Sequence, residues 1–245
     1  MPLITPKTFI YAHRGACAYA PENTLEAFKL AAEQGADGIE LDVRRSADGR
    51  LVVIHDSSID RTANGSGKVA DLTYEQLLTY DFGYSFYGEC RGIQIPTLEQ
   101  VYELLKTTDL VINVEIKSKQ PFVTQECVEI AKRHDMLDRT IYSTFHHSKL
   151  MQIRSLEPSA FIAPLYNDLV LAWDYCANMS ANAAHPNKVQ LALIPELVTR
   201  FHEKGIRVHP FTANTEEEIQ ALLDADCDGI ITNFPDRAIA LRDGR

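Results

Sequence analysis

The sequence predicts an α/β chain folded as a single (β/α)8 TIM barrel, and three observations carry that expectation. Apolar runs of strand length alternate with segments of helical periodicity. Eight such runs fit into 245 residues, an ordinary length for one barrel. Polar and charged residues close several of the runs, as they do where strand ends converge on one face. An open doubly wound sheet is the rival arrangement of the same alternation.

The elements follow in chain order. The first strand, 8–12, ends abruptly at His13-Arg14-Gly15. A loop then leads to "PENT", where Asn23 with Glu26 reads as a capping-box variant and Gly35 as the stop of that helix. The second strand, 38–43, holds "GIELDV", and "LVVIH" is a short extra strand after it. Residues 57–96 are then too many for a plain βα loop. They read as a small subdomain inserted after strand two, on the C-terminal face of the barrel. Its rings, Tyr80, Phe82, Tyr84, Phe86 and Tyr87, either line a site entrance or pack the insertion's own core. Thr97 with Gln100, behind Pro96, starts the next helix, with Leu98, Val101, Leu104 and Leu105 on one face. Further strands are expected at 111–116, 140–144, 160–165, 182–185, 206–210 and 228–232, and Thr215 with Glu218 starts a late helix. Residues 1–245 are thus read as one domain, with 57–96 inserted in it.

Composition narrows the function. A net charge of −10 argues against general nucleic-acid binding, which needs a basic face. It leaves room for one small anionic ligand, since a local positive site can sit in a negative protein. The five cysteines are scattered and form no CxxC pair, so reduced thiols in a cytoplasmic protein are expected rather than a disulfide or zinc framework. "MPLITPK" lacks the pattern of a secretory leader, and no apolar run approaches a membrane span.

Four strand-end clusters carry candidate chemistry. In His13-Arg14-Gly15, the guanidinium is a planar fork for phosphate or carboxylate, and the glycine lets backbone approach a ligand. A lone histidine there would more often be structural. Glu40 and Asp42, two apart on a strand, share one face, while Ile39, Leu41 and Val43 take the other. On a surface strand that pair would mean nothing; facing a barrel interior it needs a neutralising partner. Glu115 and Lys117 share a face in the same way, and a simple ion pair explains Lys117 while adding another carboxylate. His55 and Asp56 follow the extra strand, where Asp56 could equally cap a turn.

Together these residues suggest a mouth with three carboxylates, two cations and two histidines. All-oxygen ligands suit Mg²⁺ or Ca²⁺ rather than zinc. Such an ion would turn the formal charge of the mouth from one negative to one positive, a trap for a phosphodiester. Two imidazoles supply an acid and a base, and the ensemble fits phosphodiester cleavage.

The motifs "AHRG…PENTLEAF", "GADGIELDV", "LVVIHD…DRTANGSGKVADLT", "IPTLEQV" and "VINVEIK" closely resemble the glycerophosphodiester phosphodiesterase family, and "FTANTEEEI" and "CDGIITNFPD" continue the likeness more weakly. The resemblance implies a TIM barrel with a small insertion, hydrolysis of glycerophosphodiesters to sn-glycerol 3-phosphate and an alcohol, and a place in lipid and glycerol metabolism. It implies His13 and His55 as acid and base, Glu40, Asp42 and Glu115 as ligands of a divalent cation, and Arg14 and Lys117 as phosphate contacts. His185 and Phe211 are expected at the substrate. The family's W-T-V-N reads Phe211-Thr212-Ala213-Asn214 here, and its T-D reads Thr232-Asn233; both departures bear on fine substrate contacts. The expected partner is a small-molecule glycerophosphodiester, with no nucleic acid, no stable membrane insertion and a homodimer left open. The alternatives are a lysophospholipase D using the same groups, a non-catalytic phosphoester-binding barrel, and a purely structural ion-pair network. Which histidine gives the proton, and whether water or the neighbouring glycerol hydroxyl attacks, is undecided at this level.

Overall fold

The computed structural model describes residues 7–168 and 172–244. Residues 1–6, most of the "MPLITPK" stretch expected to lack a secretory leader, lie outside them. Eight parallel strands form the barrel wall: β1 (Phe9–His13), β2 (Gly38–Arg45), β4 (Val111–Ile116), β5 (Thr140–Thr144), β6 (Phe161–Tyr166), β7 (Ala183–Pro186), β8 (Arg207–Val208) and β9 (Gly229–Thr232). Their spatial order, β8-β7-β6-β5-β4-β2-β1-β9, is that of a sheet rolled up by consecutive right-neighbour crossovers, not of an open doubly wound sheet. The wall is nearly closed. Instead of a full ladder, single backbone bonds join β9 to the segment around β8: Asp228 N–H to Val208 O at 3.0 Å, Ile231 N–H to Pro210 O at 3.0 Å and Ala213 N–H to Ile231 O at 3.1 Å. The expected strands are found within a residue or two, except that 206–210 is regular only at Arg207–Val208.

The short strand β3 (Leu51–Val53) pairs antiparallel with the end of β2, Val43 opposite Val53 and Arg45 opposite Leu51. Residues after it build a separate small apolar cluster of Ile59, Ala63, Val69, Leu77, Phe82 and Ile95 against Val52 and Ile54. Tyr80 packs on this cluster, whereas Tyr84 and Phe86 are exposed.

The two-residue period of the strands sorts the side chains. Tyr11, Val111, Ile141, Ala163, Ala183 and Ile231 fill the barrel interior. Ile39, Leu41, Val43, Ile112, Val114 and Ile116 point outward, into the layer shared with the helices. Interior positions two or four residues further along are polar: Glu40, Asp42, Asn113 and Glu115 are all buried. The strands therefore bring their buried acids to one end of the barrel.

Four of the described helices begin on threonine caps, one of them the short helix Tyr74–Leu77 behind Thr73. Thr97 with Gln100 and Thr215 with Glu218 form reciprocal capping boxes, as the spacing predicts. The first helix, Leu25–Glu33, differs from expectation: its cap is Thr24, whose Oγ1 accepts from the Ala27 N–H, not Asn23. Asn23 instead sits at φ +57° and uses its amide on β2, donating to Asp42 Oδ2 at 2.8 Å and accepting from the Asp42 N–H at 3.2 Å. Gly35, at φ +80°, follows the helix as the sequence suggests. Gly15 has a packing role beyond the one its sequence position suggests. It lies at φ +81°, and a Cβ there would come within 2.7 Å of Ala27, so its missing side chain makes room for the first helix.

Candidate active site

The strand ends of β1, β2 and β4 bring the predicted carboxylates together. One oxygen from each of Glu40, Asp42 and Glu115 lies within 4.8 Å of the others, and all three residues are buried. The register explains it: Asp42 on β2 lies directly beside Glu115 on β4, with Glu40 one interior step before Asp42. Two cations face this trio. Lys117 Nζ is 2.5 Å from Glu115 and 3.5 Å from Asp42. Arg14 places Nε 3.3 Å from Asp42 and donates its backbone N–H to Glu40 at 3.1 Å.

Three carboxylates against two cations leave an acid surplus in a poorly solvated place. Burial first, and then Asp42 and Glu115, raise Glu40 well above the usual range. Burial and the Asp42 charge lift Glu115 to about 7 although Lys117 opposes them. Burial would raise Asp42 too, but Arg14 and Lys117 outweigh it and keep that group ionised. Asp42 Oδ1 is buried and makes no hydrogen bond, with Lys117 Nζ 3.5 Å away. An oxygen-only trio with an unsatisfied buried lone pair and surplus charge fits a hard divalent ion.

The two histidines flank the trio with different partners. His13 is half-buried beside Arg14; its Nδ1 meets Asn233 Oδ1 at 2.6 Å and its Nε2 faces Glu40 at 3.9 Å. With Asn233 accepting, Nδ1 carries the proton and Nε2 is the free base facing the acids. Burial, and then Arg14, push His13 down to about 4. His55 has a carboxylate partner instead, Asp56 Oδ1 at 2.6 Å from Nδ1. Burial lowers its pKa as well, with Asp42 and Asp56 pulling the other way.

A relay of ions ties the two sides together, and sequence reasoning missed it. Glu22, from "PENT", accepts from Arg14 at 3.0 Å and is gripped by both Nη atoms of Arg61 at 2.7 Å. Arg61, from "DRT", also donates Nε to Asp56 at 2.6 Å. Burial would raise Glu22, but the Arg61 hydrogen bonds and the charges of Arg14 and Arg61 hold it below the usual range. The motifs containing Glu22 and Arg61 stood out in the chain; what hid their role is that they meet only across two loops. Asn233 was likewise visible only as a departure, with no sign that it would meet His13.

Phe211 lines a small cavity with His13, Glu40, Asn113, Glu115, Leu165 and Ile231, as expected of an apolar wall. Its ring meets Phe145 edge to face at 5.9 Å. His185 is a correction. It is 1 % exposed and its Nε2 meets His209 Nδ1 at 3.1 Å inside the barrel, while Leu165, its partner across β6 and β7, lines the cavity. Burial lowers it to about 3, so it is a neutral core histidine and not a phosphate contact.

A wider groove of about 540 Å³ opens on the other side of Glu115 and Lys117, between Arg44 and Ser57 on one wall and Lys119, Phe145 and His146 on the other. None of the six aromatic rings of 57–96 lines it; Ser57 and Ala70 are that segment's contribution.

Comparison with known proteins agrees with this geometry. The family model of the glycerophosphoryl diester phosphodiesterases matches residues 13–237. A glycerophosphodiester phosphodiesterase of Caldanaerobacter subterraneus is 40 % identical over 239 residues, 96 % of this chain and 98 % of that one. One of Bacillus altitudinis is 40 % identical over 241 residues, 96 % and 98 % of the two chains. Among solved structures, an Oleispira antarctica phosphodiesterase in complex with the product sn-glycerol-3-phosphate superposes with a TM-score of 0.89 at 26 % identity, covering 97 % of each chain. The Thermotoga maritima glycerophosphodiester phosphodiesterase gives 0.81 at 28 % identity, over 98 % of this chain and 100 % of that one. The match spans both histidine-bearing loops, the acidic trio and nearly the whole barrel, and the chain belongs to the glycerophosphoryl diester phosphodiesterase family of enzymes.

Proposed function

We propose that the protein hydrolyses glycerophosphodiesters, glycerophosphocholine and glycerophosphoethanolamine among them, to sn-glycerol 3-phosphate and an alcohol, in the cytoplasm. In this reading residues 1–245 form one catalytic domain, and 57–96 is a subdomain inserted in it. The single observation that carries the reading is the acidic trio within 4.8 Å, flanked by two histidines with different partners. Glu40, Asp42 and Glu115 would hold Mg²⁺ or Ca²⁺, which when bound withdraws charge from a phosphoryl oxygen. Arg14 and Lys117, fixed by Asp42, Glu22 and Glu115, present positive charge to the phosphate without reorganising.

His13 and His55 divide the proton transfers. His13, down at about 4, is neutral through the working range, and its free Nε2 takes the proton of the nucleophile, a water or the neighbouring glycerol hydroxyl. His55, with Asp56 to stabilise its imidazolium, gives the proton to the leaving alcohol. Purified protein with Mg²⁺ or Ca²⁺ should release sn-glycerol 3-phosphate from glycerophosphocholine. If every glycerophosphodiester survives metal-replete protein intact, the reading is wrong. Lysophosphatidylcholine, tested alongside, separates the lysophospholipase D alternative.

Asn233 gives a pH test of the His13 role. A neutral amide holds the tautomer without stabilising the imidazolium. Asn233→Asp puts a negative charge on the same nitrogen and raises the His13 pKa. A base is lost as pH falls through its pKa, so the acid limb of kcat/KM should move upward, by about one unit or more. An acid limb that stays where it is in Asn233→Asp would remove His13 from that limb.

A further inference from the structure

The groove beyond Glu115 is unusual for an acidic protein. Arg44, Lys117, Lys119 and His146 line it, and its one acid, Glu115, already holds Lys117 at 2.5 Å. Among the described residues, neither Arg44 nor Lys119 has a carboxylate within 4.0 Å. Arg44 spends Nε on the backbone carbonyl of His55, at 2.8 Å, which leaves its Nη atoms for the groove. Burial first, and then nearby positive charges that include Lys119 and Lys117, hold His146 below its usual pKa, so the charges of both groove lysines reach His146.

Position decides which part of a diester meets them. The recess on the His13 side has only about 20 Å³ of space, against about 540 Å³ in the groove. Of these two spaces, only the groove admits a bulky leaving group. The groove also adjoins His55, the histidine assigned to the leaving alcohol, through Arg44 and Ser57.

We propose that this groove is a leaving-group subsite selective for alcohols that carry an anionic substituent, a phosphate or a carboxylate, over the cationic choline. The inference rests on the phosphodiesterase reading and sharpens its substrate class. A trimethylammonium there would meet one ring, Phe145, and several positive side chains. An anionic head group would find unpaired guanidinium and ammonium donors instead. No single exposed pair is worth a tenfold change in affinity, but two or more acting together on one anionic group reach it.

The test compares kcat/KM for glycerophosphoinositol 4-phosphate and glycerophosphoinositol, which differ by one phosphate on the leaving inositol. The phosphorylated diester should be favoured at least about tenfold, and the preference should shrink as salt rises. Lys119→Glu, at an exposed position outside the catalytic set, should bring the ratio close to one while the rate on glycerophosphoinositol holds. Equal or poorer turnover of the phosphorylated diester, or a preference untouched by Lys119→Glu, overturns the subsite. Should metal-replete protein hydrolyse neither, the enzymatic reading fails on its own, and calorimetry with inositol 4-phosphate still decides the groove. Binding that Lys119→Glu weakens supports the subsite, and absence of binding refutes it.

Discussion

Glu115→Gln is expected to lower kcat/KM on a glycerophosphodiester by about a thousandfold, and EDTA should remove the activity of the unaltered protein. A divalent ion at a phosphoryl oxygen supplies several kcal/mol of transition-state stabilisation, and each ~1.4 kcal/mol is a factor of ten. Glutamine keeps the shape of the ligand and loses its charge. A general collapse would give the same kinetic loss, so stability must be measured too. Without metal the trio carries an acid surplus, and Glu115, raised to about 7 from 4.5, is part of it. A carboxyl whose folded pKa is raised favours the fold below its unfolded pKa and loses that contribution as pH rises through the folded value. The metal-free protein should therefore lose stability between about pH 4.5 and 7, and Glu115→Gln should blunt that loss. Added Mg²⁺ or Ca²⁺ should raise the Tm of the unaltered protein, through a stabilisation of about 2.7 kcal/mol at a hundred times Kd, and should do far less for the variant. A metal-insensitive Tm and EDTA-resistant activity would instead mark the trio as a structural ion-pair network.

Much of this site was legible because strands have a period of two. "GIELDV" and "VINVEIK" already place Glu40, Asp42, Glu115 and Lys117 on one face, and parallel pairing of β2 with β4 does the rest. The barrel itself was legible in the same alternation of strand and helix. What escaped were contacts made by loops, which have no period. Asn23 looked like a cap because Asx residues cap helices; Thr24 beside it does that job, and Asn23 anchors the first loop to Asp42. Glu22 and Arg61 are far apart in sequence and meet at 2.7 Å only once both loops fold over the mouth. His185 failed for the opposite reason. Alternation correctly points it inward, but at its level the interior is closed core, where His209 satisfies one nitrogen. Period tells which face a residue takes, and not how far along the barrel the solvent reaches.

The division of labour between the histidines predicts that His55→Ala will respond to the leaving group and His13→Ala will not. Each loss should lower kcat on glycerophosphocholine by about 10²–10⁴, the usual worth of a positioned acid or base. Choline leaves as an alkoxide unless it is protonated. The 4-nitrophenyl ester of glycerol 3-phosphate leaves as a stable phenolate and needs no proton. His55→Ala should therefore recover most of its deficit on the aryl ester. His13→Ala should stay as impaired on one substrate as on the other, because activating the nucleophile is required for both. The structure supports this order in two ways. His13 has a neutral partner in Asn233, which fixes the tautomer while leaving the ring at about 4, so it is available as a base. His55 has an anionic partner in Asp56, itself fixed by Arg61, which favours a proton held and then donated. Arg61→Ala should fall between the two, since it frees Asp56 and Glu22 at once, and its deficit should also shrink on the aryl ester. Equal responses of His13→Ala and His55→Ala to the leaving group would reverse or erase the assignment, and recovery by His13→Ala alone would exchange the two roles.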